Sequence, residues 1–349
     1  MKNKVALLIK PKKFDINFEN IEKLEKDYVL VKIFKTGICG SDLHYFRHGG
    51  LGSFKSKMPF SMGHESSGII VDNNNTKLKN YSKVIIDPLN LADCSEIKNI
   101  NKHICVKCIN KVNLCASGRY LGSELQQGTF REFIPLHVSQ LTICNDKKVF
   151  EHAQMFEPLN IAMYSVDQSR IDLTMKNKVL ILGSGTIGLL IAEVLKAKNI
   201  KDITIVDDLD YRLAFAKNEI KTKVAPKNEN SFFLNNQNSF DIIFDTITNN
   251  WTFDLMPKLL NSSGKMLIVG IPTVDTLSIN PHLIRIKEIE LINVRRSNIK
   301  MNNVLEFFYN NNLDLKKYET HKFELDDIQK AFELSSSYLD NVIRCSVIS

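Results

Sequence analysis

The sequence predicts an α/β protein in two parts, a β-rich domain and a doubly wound parallel sheet, and three observations carry that expectation. A chain of 349 residues has a two-domain length, and 44% hydrophobic with 24% charged residues is the composition of a soluble globular protein. Residues 1 to about 150 alternate short apolar runs with Gly, Asn and Pro punctuation, the texture of strands joined by long loops. From Glu157-Pro158 onward, strand, glycine turn and helix patterns alternate instead, which argues for parallel strands with helical crossovers.

Taken in order, the first strands read as Tyr28 to Ile33, Gly68 to Val71 and Lys83 to Ile86, with a turn at Asn73 to Asn75. Ile161 to Val166 reads as a helix leading into a buried strand, Lys178 to Leu182. The same unit repeats through strands at Ile203 to Val206, Ile242 to Asp245 and Met266 to Val269. After about Pro281 the pattern becomes mixed, with Glu290 to Val294, a turn at Asn310 to Asn312, a helix near Asp326 to Ser335 and a closing strand at Val342 to Val347. This places the domains at 1–156, 157–290 and 291–349, the last returning to the first.

Composition excludes several function classes. The apolar run near the N-terminus stops at Lys10, too short for a signal-peptide core, and the apolar stretch Val179 to Leu195 is broken by three glycines and Glu193. No membrane contact and a cytoplasmic location are expected. A net charge of +7 invites a nucleic-acid reading, but the lysines are scattered among acids and no basic run alternates with aromatics, so no nucleic-acid partner is expected. Seven cysteines, four of them between Cys94 and Cys115, favour thiolate metal ligands over disulfides.

The strand ending at Leu182 runs into Gly183-Ser184-Gly185-Thr186-Ile187-Gly188 and then into an apolar-periodic helix. In that context the glycine pattern is a dinucleotide fingerprint: Gly183 for the tight turn, Gly185 for approach to a pyrophosphate, Ile187 inside the turn, and Gly188 for close helix packing. Asp208 follows Gly188 by about twenty residues, where an acid binds a ribose 2′-hydroxyl and repels a 2′-phosphate. NAD is therefore expected over NADP, although Arg212 nearby has the chemistry to accept a phosphate.

A second grouping, Thr36-Gly-Ile-Cys39-Gly-Ser41-Asp42-Leu-His44-Tyr45, is answered by Gly63-His64-Glu65. A thiol, an imidazole, acids and a hydroxyl fall where one Zn²⁺ can gather them. Taken singly, Ser41 and Asp42 are common turn-capping residues, and a lone cysteine is usually a small core hydrophobe.

These segments, with Glu157-Pro158-Leu159, the glycine turn and Lys287-Glu288-Ile289 through Arg296, resemble the zinc-dependent medium-chain dehydrogenases. The likeness is greatest to their polyol and sugar-acid branch, the sorbitol and L-idonate 5-dehydrogenases, and it spans nearly the whole chain in order. It implies a GroES-like catalytic domain completed by the C-terminal segment, a Rossmann coenzyme domain between, and a homodimer or homotetramer.

The resemblance also implies roles. Cys39, His64 and Glu157 would hold the catalytic Zn²⁺, with Glu65 either coordinating directly or supporting the ligands from outside. Ser41 would take the substrate proton, His44 would relay it, and Asp42 would orient His64. Tyr45 would wall the substrate pocket, and Arg296 would lie near the substrate. Arg295 stands where that branch usually has an aromatic; it suits an acidic substrate such as an aldonate, or is simply a solvated arginine.

The second cysteine cluster departs from the family's C-x₂-C-x₂-C-x₇-C pattern. Cys94 stands well before Cys105, and the rest reads Cys105-x₂-Cys108-x₆-Cys115. The expectation is a closed structural zinc site, with His103 as a reserve ligand, set against a metal-free lobe. The reaction expected is hydride transfer from a secondary hydroxyl of a small sugar acid or polyol to NAD. Another secondary alcohol, such as threonine or butanediol, and a non-catalytic nucleotide-binding protein are the alternatives.

Overall fold

The computed structural model describes residues 2–52, 54–92 and 111–349. The chain divides into two compact units, Met1–Glu157 with Asn298–Ser349, and Pro158–Ser297. Each is taken by itself.

The first unit is built on a seven-stranded sheet whose central path runs Leu141–Ile143, Lys83–Ile86, Glu65–Asp72, Tyr28–Gly37, Arg344–Ile348, Glu319–Glu324. The Tyr28–Gly37 strand is its axis. Its first half pairs with Phe133–His137 and its second half, Lys35 to Gly37, pairs antiparallel with the strand from the C-terminal segment. Alternation explains the arrangement: Val29, Val31 and Ile33 point one way into a core with Ile70, Val84 and Ile86. A second core, around Phe14, Phe46, Phe60, Phe130 and Phe332, binds the helix Ile328–Ser337 to the N-terminal part.

The second unit is a six-stranded sheet with every pairing parallel, ordered Lys223–Pro226, Asp202–Asp207, Lys178–Leu182, Phe240–Asp245, Leu260–Ile268, Glu290–Asn293. Leu180, Ile181 and Leu182 are fully buried, as a central parallel strand covered on both faces requires. From Lys178–Leu182 the chain first winds to one side and later to the other, so a topological switch point lies at the carboxyl end of that strand.

Three details differ from the sequence reading. The residue-290 boundary falls at the start of a strand, Glu290–Asn293, that pairs with Leu260–Ile268, so the second unit continues to Ser297. Asn310 and Asn311 end the helix Met301–Asn311 rather than forming a separate turn, and Asn312 caps it at φ 48°. Asparagine tolerates that left-handed conformation, so the same residue type serves a helix end as well as a loop. The helix read from Ile161 begins at Phe156 and carries Glu157 in its first turn. Among the described residues no helix is long and apolar enough to cross a membrane.

Candidate active site

The Tyr28–Gly37 strand delivers the first donor. Where it ends, Cys39 caps the helix Gly40–His48, and its backbone N–H donates to Asp42 Oδ2 at 3.0 Å. The turn that the sequence suggests for Ser41 and Asp42 is therefore real, and it fixes the direction of the thiol. The second and third donors, His64 and Glu65, stand where the Glu65–Asp72 strand begins. Gly63 precedes them at φ +96°, and a Cβ there would meet Phe130, Thr129 and Thr36 at 3.0 Å, so glycine lets the loop pass close to the sheet.

The ligand atoms of Cys39, His64 and Glu65 all lie within 4.8 Å of one another. Glu157, assigned as the third ligand from the sequence, is buried beside them but is not one of that trio. Its Oε1 instead accepts a 2.9 Å hydrogen bond from the Tyr120 hydroxyl. Glu65, left with two alternatives, is the carboxylate the fold brings to Cys39 and His64.

Charge and burial make this trio a fit for a divalent cation. Burial pushes the Cys39 thiol up to about 11, and the negative charges of Asp42 and Glu157 add to it, against opposing hydrogen bonds from Ser41. The surroundings thus resist a thiolate unless a cation is present, and one thiolate, one imidazole and one carboxylate form a zinc donor set. Asp42 is fully buried, and its Oδ1, which has no hydrogen-bond partner, lies 3.7 Å from His64 Nδ1. That sets a buried carboxylate within ion-pairing reach of the His64 ring, at more than hydrogen-bond distance.

Ser41 and His44 project from the same helix. His44 is half-buried, and burial, followed by the charges of His48 and Arg47, lowers its pKa, keeping the imidazole neutral and able to take a proton. Tyr45 packs edge-on against Phe60, with ring centroids 5.3 Å apart, and its neighbour Phe46 is core.

Two residues here have no local signal in the sequence. Arg344, from the C-terminal strand, is buried with its guanidinium against Glu65 Oε2. Burial lowers its pKa to about 10 against the opposing pull of Cys39 and Asp42, so it remains charged at neutral pH. Tyr120, besides holding Glu157, lays its ring 5.6 Å from that of His64.

In the second unit the glycine turn behaves as its spacing predicts. Gly183 has φ +101°, and a Cβ on Gly188 would stand 1.9 Å from the Gly183 carbonyl oxygen. Gly185 caps the helix Thr186–Ala197, and a Cβ there would meet only Arg212 Nη1, at 3.8 Å. The open space over that helix terminus is what a pyrophosphate needs. Asp207 is consumed internally, accepting from Ser184 N at 2.6 Å and Leu209 N at 3.0 Å. Asp208 is exposed and lies 3.8 Å from Lys227 Nζ. Arg295 is exposed, and Arg296 is half-buried at φ 54°. Cys94, His103, Cys105 and Cys108 lie outside the described residues; Cys115 is buried.

Comparison with known proteins agrees with this chemistry. Residues 25–146 match the alcohol dehydrogenase GroES-like domain. Sorbitol dehydrogenase of Bacillus subtilis is 24% identical over 99% of this chain and 96% of its own. L-idonate 5-dehydrogenase of Vitis vinifera is 28% identical over 88% and 84%. In fold, the chain is similar to the crystal structure of L-idonate 5-dehydrogenase from Escherichia coli, with a TM-score of 0.88 at 22% identity, covering 100% of this chain and 99% of that one. Residues 25–146 thus carry an alcohol dehydrogenase GroES-like domain, and the chain as a whole is similar in sequence to the sorbitol and L-idonate 5-dehydrogenases just named.

Proposed function

We propose that the protein oxidises a secondary hydroxyl of a sugar acid or polyol, L-idonate being the model substrate, with NAD as hydride acceptor. The observation that carries the reading is the trio Cys39, His64 and Glu65, with the buried Asp42 carboxylate beside His64. Zn²⁺, when bound there, would supply Lewis acidity that makes an alcohol easier to deprotonate, and NAD would supply the hydride acceptor. The remaining work falls to side chains of this chain.

Cys39, His64 and Glu65 would hold the metal, and Asp42, beside His64 Nδ1, would favour the tautomer that leaves the other ring nitrogen for it. Ser41, two residues beyond Cys39, accepts the substrate's hydroxyl proton, and His44, neutral at physiological pH, takes it onward. Gly183, Gly185, Ile187 and Gly188 seat the pyrophosphate, and Asp208 binds the adenosine ribose and disfavours NADP, with Arg212 beside the turn. Arg295 and Arg296 are assigned to the substrate, Arg295 as the partner of an aldonate carboxylate and Tyr45 as part of the pocket wall.

The two B. subtilis and V. vinifera relatives named for sorbitol and L-idonate support the substrate class. The protein is further proposed to be a cytoplasmic homodimer or homotetramer, with a second zinc on Cys94, Cys105, Cys108 and Cys115. Metal analysis giving two zinc ions per chain supports that second site, and one excludes it. For the reaction, zinc-replete protein is offered aldonates, polyols and amino alcohols with NAD⁺. Reduction by L-idonate or a polyol is expected; no reduction by any of them overturns the reading.

A further inference from the structure

Four protein donors would close a zinc site, whereas a catalytic site keeps one position for substrate. Here a fourth donor, Glu157, is at hand and has to be kept from that position. The structure assigns this task to Tyr120: we propose that Tyr120 is a positioning residue that tethers Glu157 at the rim of the metal site and so preserves the exchangeable position. This rests on the zinc reading of the Cys39, His64 and Glu65 trio.

Tyr120 touches both sides of the problem. Its hydroxyl donates to Glu157 Oε1 at 2.9 Å, and its ring packs at 5.6 Å on that of His64. One rigid side chain thereby sets the separation between a ligand in the trio and the carboxylate outside it. The phenol is well suited to the task, because a neutral donor holds a carboxylate without the opposing charge that would neutralise it.

The backbone behind Tyr120 is fixed independently. Arg119–Tyr120 pairs with Leu89–Asn90, Tyr120 lying opposite Leu89. Leu121, fully buried, donates its N–H to Pro88 O at 3.0 Å. Two residues further, Gly122 presses on the loop that carries His64, where a Cβ would stand 2.9 Å from Gly63 N. The tether is therefore anchored to the same loop as the ligand it packs on.

The two carboxylates are held in opposite ways. Glu65 lies in the trio beside a buried cation, Arg344, while Glu157 accepts a hydrogen bond from the Tyr120 hydroxyl.

The test is Tyr120→Phe, which keeps the ring on His64 and removes only the hydroxyl. Freed, Glu157 turns to the metal and closes the site. Expected results are zinc held roughly 10- to 100-fold more tightly against a competing chelator, the size of effect that outer partners of metal ligands have. The visible spectrum of the cobalt(II)-substituted variant should shift and cease to respond to added alcohol. KM should rise more than kcat falls. Adding Glu157→Gln to Tyr120→Phe should return chelator resistance to the wild-type value, while Glu157→Gln alone should not raise it.

Unchanged or weaker zinc retention in a folded Tyr120→Phe protein overturns the tether. A wild-type protein that binds no zinc in a Cys39- and His64-dependent manner fails on the earlier reading instead, so the two failures are told apart.

Discussion

Arg344 and Glu65 form an ion pair in which both side chains are almost wholly withdrawn from water, 3% and 1% exposed, across a separation of most of the chain. Removing one partner of such a pair leaves a buried charge uncompensated and costs about 3–5 kcal/mol. Arg344→Gln is therefore expected to lower the urea midpoint strongly in zinc-free protein. Bound zinc supplies positive charge to the same carboxylate, so the loss should be smaller in zinc-loaded protein. Equal losses with and without zinc would contradict this. Gly37→Ala should act likewise, because its Cβ would stand 2.2 Å from Arg344 Nη2 and push the guanidinium aside.

Gly188→Ala tests the coenzyme turn alone. A Cβ only 1.9 Å from the Gly183 carbonyl oxygen forces the helix off the strand end. NADH affinity, followed by nucleotide fluorescence, should fall at least about tenfold, or ~1.4 kcal/mol. Zinc content should not change.

Asp208 and Asp207 should separate cleanly. Asp208→Ala removes an exposed carboxylate and should shift the NAD to NADP ratio of kcat/KM toward NADP by roughly tenfold or more, as loss of the ribose acceptor predicts. Asp207→Asn replaces one of the two oxygens that accept backbone N–H groups, from Ser184 and Leu209, with an NH₂ that cannot accept, and should lower stability instead.

The acid limit of stability should lie partly in a second buried cluster. Lys35 Nζ is 2.8 Å from Glu319, whose carboxylate also accepts from Gln154 and Ser346. Burial alone would raise Glu319, but the hydrogen bonds of Lys35 and Ser346 and the charges of Lys35 and Lys322 outweigh it and hold its pKa below the usual 4.5. A folded pKa depressed in this way stabilises the protein above the unfolded value, and that contribution is lost as pH falls through the folded one. His152, lowered mainly by burial from 6.5, has the same sign, since protonation favours the unfolded chain. Urea midpoints should thus fall on acidification, first below about pH 6.5 for His152 and then below about 4.5 for Glu319. Glu319→Gln should be less stable at neutral pH and show a flatter acid limb.

What the sequence revealed depended on range. Cys39 with Asp42, His64 with Glu65, and the run from Gly183 to Gly188 are chemical groups placed by a few residues of local backbone, so spacing alone exposes them. The parallel sheet was legible for the same reason, because each strand, turn and helix is written consecutively. Arg344 and Tyr120 were not, since each reaches the metal site through strand pairings that no local pattern encodes. Sequence reasoning assigns the third ligand position to Glu157 and leaves Glu65 open, whereas the fold groups Glu65 with Cys39 and His64, because the outcome depends on which carboxylate meets Arg344 and which meets Tyr120.

The pairing of residues 344–348 with Lys35 to Gly37 has a consequence for biogenesis. On the ribosome, the strand that leads to Cys39 is made before the whole second unit, whereas its neighbour and the cation facing Glu65 are made after it. Until then the nascent polypeptide exposes an unmatched strand edge beside an unneutralised acid. Stable holding of the metal should accordingly require residues 344–348, and deleting them should abolish it while leaving the second unit able to fold.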